Sequence, residues 1–220
     1  MYIQFLVEDS SGAALLEHIV PRLLGPTIFY NIKSYKGVGR LPAGLKPATD
    51  PRKRLLLDQL PRLVQGYGKT FASYPPADRP TLVIVCDLDN RCMKEFRKDL
   101  LGCIEHCSER PSTILCFAIE ELEAWILGDK QAVMSAYPKA RTDILDDYLP
   151  DSICGTWEVL ANALHLGGSA RLARQGYHAI GAKKHEWASR IGPFIDGGRN
   201  LSPSFRYFRH KLDSLSALKV

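Results

Sequence analysis

Residues 81–86, Thr-Leu-Val-Ile-Val-Cys, run directly into Asp87-Leu88-Asp89-Asn90, and this stretch decides how the chain is read. Six consecutive apolar or β-branched residues without a charge are the pattern of a strand covered on both faces, the usual state of a central strand in a parallel sheet. Two carboxylates, two positions apart, close it and point to the same side of an extended segment. Residues 2–8 read as a second short buried strand. Asp9-Ser10-Ser11 then caps a helix carrying Leu15, Leu16, Ile19 and Leu23 at helical spacing; Pro21 is expected to kink or break it and Gly25-Pro26 to end it.

A strand over 28–35 follows, then a Gly- and Pro-rich basic loop over 36–51. A Leu-rich helix is expected to open at Asp50-Pro51 and run through Leu55, Leu56, Leu60 and Leu63 toward Gly66. Beyond the central strand, Met93, Phe96, Leu100 and Ile104 form a helical stripe, and a strand over 113–119 leads into a helix beginning at Glu120-Glu121-Leu122-Glu123-Ala124-Trp125. Four strands alternating with helices predict an α/β fold, a Rossmann-like, mostly parallel sheet flanked by helices. Strand signals stop after Gly128. Helical patterns over 134–137, 157–166, 178–191 and 204–215 predict a C-terminal helical extension (129–220) packed on the α/β domain (1–128).

The 220 residues, 45% hydrophobic and 24% charged, suffice for a real core, which excludes a disulfide-stapled miniprotein, a fibrous repeat and a largely disordered chain. No apolar run approaches the roughly 20 residues of a membrane span. The N-terminus enters a strand pattern with no basic leader or cleavage site, so the expected location is the cytoplasm. The six cysteines contain no CxxC pair and read as reduced structural thiols. Cys103, His106 and Cys107 lack a nearby fourth ligand and read as a helix face.

Charge is segregated. Residues 33–69 hold nine Lys or Arg against two acids, a net +7, and 171–211 repeat that balance. Residues 87–151 hold fourteen acids against eight bases, a net −6. An acidic centre between basic flanks suits a metal site acting on a polyanion, although solvated helix faces give the same pattern. In a parallel sheet the carboxyl ends of the strands share one rim. Glu8, the pair Asp87 and Asp89, and the group Glu120, Glu121 and Glu123 each follow a strand. Any one of them alone reads as a helix cap; recurrence at three strand ends favours a site for Mg²⁺ or Mn²⁺. Glu120 and Glu123, three apart, share a helix face and are preferred over Glu121. Lys36, Arg40, Lys46, Arg52, Lys53 and Arg54 in the loop, with Lys183, Lys184, Arg199, Arg206 and Arg209 in the helical part, are the cations available for nucleic-acid phosphates. Gly37-Val38-Gly39 is too short for a dinucleotide fingerprint, and GxxxxGK[ST] does not occur.

FLVEDSS, IVCDLDN and IEELEAW, in that order, resemble a bacterial family of small Toprim-like proteins, related to the Toprim domains of topoisomerases, primases and overcoming-lysogenization-defect nucleases. The likeness extends to Gly155-Thr156-Trp157-Glu158, Lys183-Lys184 and Pro203-Ser204-Phe205. It implies Glu8 as general acid/base or metal ligand, Asp87 and Asp89 as ligands of Mg²⁺, and Glu120 or Glu123 completing a second site. It further implies a metal-dependent nuclease and effector of an anti-phage locus, with nucleic acid and a neighbouring ABC- or SMC-like ATPase as partners, no membrane, and room for a homo-oligomer. The alternative is a non-catalytic Toprim-like regulatory subunit of the ATPase complex. A nucleotide-binding α/β domain using the same rim is a third reading. Asp9 stands where many Toprim domains have Gly, and its carboxylate is expected either to crowd the loop or to join the site.

Overall fold

The structure, a computed structural model, describes residues 1–42, 44, 50–152 and 154–217; Lys46, expected among the phosphate contacts, lies outside the described residues. The fold is α/β, with four parallel strands in the order β2-β1-β3-β4: β1 (Tyr2–Val7), β2 (Phe29–Ser34), β3 (Thr81–Asp87) and β4 (Ser112–Ala118). Every residue of β3 is buried, as its uninterrupted apolar run requires, whereas β2 at the edge alternates exposed and half-buried positions. The order reverses between β1 and β3, the topological switch at which open α/β sheets take ligands beyond their strands' carboxyl ends. No helix among the described residues is long and apolar enough to cross a membrane.

The chain forms two compact units. One comprises Met1–Ala13, Gly25–Cys86 and Arg91–Cys116; the other comprises Ala14–Leu24, Asp87–Asn90 and Phe117–Val220. In the sheet unit, Asp9 opens helix α1 (Ser10–Leu23), its Oδ1 accepting the Gly12 N–H at 2.7 Å and its Oδ2 the Ser11 hydroxyl at 2.7 Å. The Asp9 carboxylate, expected either to crowd the loop or to join the site, is thus spent on a helix cap. The α-helix expected from Asp50-Pro51 starts later. Pro51–Lys53 form one 3-10 turn, and α2 runs Leu56–Ala72. Its N-cap residue Leu55 offers no side-chain acceptor; instead the carbonyls of Gly37 and Val38 take the N–H groups of Leu56 and Leu57 at 3.0 and 2.8 Å. The Gly-Val-Gly turn therefore satisfies orphan donors of a helix start. Gly39 is obligatory there: its φ is +70°, and a Cβ would meet Asp58 Oδ1 at 2.5 Å. On α3 (Met93–Glu105), Phe96, Leu100 and Ile104 are buried as expected, but Met93 is half exposed.

In the helical unit, α1 passes through Pro21 unbroken, since Glu17, whose carbonyl loses its helical donor, is exposed to water along with Pro21 itself. The short α4 (Glu123–Leu127) is wholly buried. Around it come α5 (Lys130–Ala136), α6 (Thr142–Asp147), α7 (Thr156–Leu164), α8 (Gly168–Ala173), α9 (Tyr177–Ile191) and α10 (Pro203–Ala217). The short helices α6 and α8 carry too little apolar periodicity to be read from sequence. Trp125 on α4 centres the core, stacked on Phe208 at 4.9 Å and edge-on to Phe205 at 5.6 Å, with its Nε1–H donated to Ser204 Oγ at 2.9 Å. Asp129 is the polar counterpart. Fully buried, it caps α5 through the Ala132 N–H, accepts the Asp196 N–H, and takes both Nε and Nη2 of Arg199 at 2.8 Å.

Candidate functional site

The loop after β3 and the loop after β4 are tied together beyond their strands. Leu88 N–H donates to Ala118 O at 3.0 Å and Asp89 N–H to Glu120 O at 2.8 Å. Both acids at this junction have left-handed backbones, with φ of 51° at Asp89 and 64° at Glu120. Such a conformation costs a non-glycine residue on the order of 1 kcal/mol or more and persists only where the surroundings enforce it, as they often do at functional sites. It also explains why the helix expected from Glu120 begins at Glu123 instead.

The carboxylates behind that junction converge on one ammonium. Lys184 Nζ lies 2.9 Å from Glu121 Oε1 and 3.2 Å from Glu123 Oε2, with all three side chains at least four-fifths buried. Burial alone would depress the Lys184 pKa; Glu123, Glu121 and Asp87 together outweigh it and hold the ammonium well above its ordinary range. Glu121 is pushed upward by burial, Lys184 opposes this, and Glu120 and Asp89 add to the rise. Burial likewise raises Glu158, on the first turn of α7, with Glu120 and Glu121 contributing. Glu123, Glu121 and Asp87 thus act on Lys184, while Glu120 and Asp89 act on Glu121, and Glu120 and Glu121 on Glu158.

Glu120 has a task of its own. Its two carboxylate oxygens accept the N–H groups of Gly155 and of Thr156, the latter at 2.7 Å, and so cap α7 from 35 residues away. Gly155 itself has φ of +94° and no side chain to cap with, and a carboxylate at a helix start is favoured by the dipole. Of the residues expected at the site, Asp87, Asp89, Glu120, Glu123 and Lys184 are brought together, and Glu121, which the sequence disfavoured, joins them. Lys184 was expected to meet phosphate; here it is an internal counter-ion. Its burial had a signal, since Lys184, Trp187, Ala188 and Ile191 form the i, i+3, i+4, i+7 stripe of α9, and the last three are buried. Glu158 was missed as a site residue.

Other expected residues are placed differently. Glu8 belongs to the sheet unit directly after β1, with its N–H on Val85 O and its carbonyl accepting from Gly37. Lys36 and Arg40 flank the same glycine turn, and Arg40 N–H is held by buried Asp58 at 2.6 Å. Lys183 pairs with Glu186 at 2.6 Å. Arg199 is held by Asp129, Arg206 by Asn200 O and Arg209 by Gly197 O, so their guanidinium groups serve the fold. Cys107 lies against the Pro61 carbonyl, and burial raises the Cys103 thiol to about 11, the environment of an inert thiol.

Whether the donors suit a divalent ion was tested on their chemistry. Among the described residues no group of three or more His, Cys, Asp or Glu forms a ready metal cage, and Lys184 sits between Glu121 and Glu123. Glu121 Oε2 and Glu158 Oε2 are buried without a hydrogen-bond partner among the described residues, as acceptors left for a cation would be. Glu121 and Glu158 carry the oxygens that a cation at this cluster would meet.

Fold and cluster together define a class: an open parallel α/β protein with an acidic site where the strands end, balanced internally by a lysine. Compared with protein-family models, curated proteins and solved structures, the chain gives no match in any of the three.

Proposed function

We propose that this protein is a Mg²⁺- or Mn²⁺-dependent phosphodiesterase acting on nucleic acid, of the Toprim-like kind. The observation that carries the reading is the pairing of Lys184 with Glu121 and Glu123, under the influence of Asp87, in the loops that follow β3 and β4. Asp87 and Asp89 would hold the ion, with Glu121 and Glu158 as the further oxygens available to it. A bound divalent ion supplies Lewis-acid stabilisation of charge on the phosphoryl oxygens. Lys184 would keep Glu121 and Glu123 in place. Glu8 has the role the resemblance assigns, orienting or deprotonating water. The protein then works in the cytoplasm as the effector of an anti-phage locus, with an ABC- or SMC-like ATPase supplying nucleotide sensing.

One observation favours the second reading, a non-catalytic regulatory subunit of the ATPase complex: both oxygens of Glu120 are spent on α7 and two further glutamates are neutralised by Lys184. The experiment is cleavage of labelled DNA and RNA with Mg²⁺ or Mn²⁺, with and without the ATPase. Cleavage lost in Asp87→Asn and in Glu8→Gln, with folding retained, supports the enzyme. Complex formation with the ATPase and no cleavage under either condition supports the regulatory subunit.

A further inference from the structure

None of the residues around one concavity of the helical unit belongs to the acidic cluster. A cavity of about 780 Å³ lies between Lys139 and Arg141, which precede α6, and the segment from Asn162 to Gly168 that ends α7. Its lining holds no carboxylate. Lys139 is exposed and has no ion pair or hydrogen bond among the described residues; Arg141 shares one Nη with exposed Asp143 at 2.7 Å, a surface contact that holds it weakly. Asn162 Oδ1 accepts the Ser169 N–H at 2.8 Å, which fixes the amide and leaves its Nδ2 donors without a partner among the described residues. His165 Nδ1 is buried and likewise has no hydrogen-bond partner there. Ile144, Leu164 and Leu166 supply an apolar wall, and Leu166 is 83% exposed.

Lys139, with no acid partner among the described residues, and Arg141, held only by exposed Asp143, select an anion, and the planar guanidinium fork suits phosphate oxygens. The apolar wall suits a flat ring, and an amide and an imidazole suit its polar edge. The volume falls within the roughly 300–1,000 Å³ of small-molecule sites. Gly168 keeps the turn close: its φ is +64°, and a Cβ would stand 2.4 Å from Asn162 Oδ1. We propose that this cavity binds a nucleotide, with its phosphate on Lys139 and Arg141 and its base against Leu164 and Leu166. The same chemistry is offered by a free mononucleotide and by a nucleotide unit of a single strand. The proposal stands apart from the phosphodiesterase reading, because it uses none of the same residues.

Calorimetric titration of the full chain with each of four ribonucleoside monophosphates, with a short single-stranded oligonucleotide and with inorganic phosphate tests it. Saturable nucleotide binding is expected, weakened about tenfold or more in Lys139→Ala/Arg141→Ala, two charge-assisted contacts being lost. Leu166→Asp should weaken nucleotide more than inorganic phosphate. Preference for the monophosphate assigns the free nucleotide, and preference for the oligonucleotide assigns a strand. All substituted cavity residues are exposed, and circular dichroism checks that the variants fold. No saturation by any nucleotide at millimolar concentration, or equal affinity in parent and double variant, overturns the proposal.

Discussion

Replacing Lys184 by methionine tests the acidic cluster most directly. The ammonium lies within 2.9 and 3.2 Å of two glutamates, and Glu123 is almost fully buried. Removing one partner of a buried ion pair leaves an uncompensated charge and costs about 3–5 kcal/mol, or two to four orders of magnitude in the folding constant. The loss should depend on pH. Lys184 itself does not titrate between pH 4 and 9, because its folded pKa is raised and its contribution fades only as pH climbs through that high value. Glu121 has a folded pKa above its ordinary 4.5, so its effect on stability is most favourable below that value and is lost as pH rises through the folded pKa. Without Lys184, which lowers it, that pKa rises further. Lys184→Met should therefore cost little near pH 4 and most of its full penalty by pH 7–8. Urea denaturation across this range measures it, with Lys184→Met/Glu121→Gln/Glu123→Gln recovering much of the neutral-pH stability. A loss independent of pH, or one below about 1 kcal/mol at pH 7.5, would refute the reasoning.

Glu120→Ala should destabilise the protein by about 1–2 kcal/mol by uncapping α7, with Glu120→Gln recovering part through its remaining carbonyl oxygen; thermal unfolding compares the two. Asp129→Ala should cost about 2 kcal/mol in the same assay, less than a fully buried pair, because Arg199 is more than a third exposed and can turn to water. Timed labelling with a thiol reagent should modify Cys92 and Cys154 quickly and Cys86, Cys107 and Cys116 only on unfolding; equal rates would contradict their burial.

What the sequence by itself determined is the part governed by local periodicity. An uncharged β-branched run can only be a covered strand, and spacings of two and near 3.6 separate strands from helices. The sheet and the acids at its strand ends were therefore legible. The Asp9 cap was legible too, since its acceptor and donors lie within three residues. Tertiary structure alone decided which charges meet. Lys184 finds Glu121 across 63 residues, Arg199 finds Asp129 across 70, and Glu120 caps a helix 35 residues on. Charge is the same in every context, whereas pairing is fixed by where packing buries each group, and buried charge must take the partner within reach. Hence Lys184, which looked like a contact for phosphate, became an internal counter-ion, and Glu120, which looked like a ligand, became a cap.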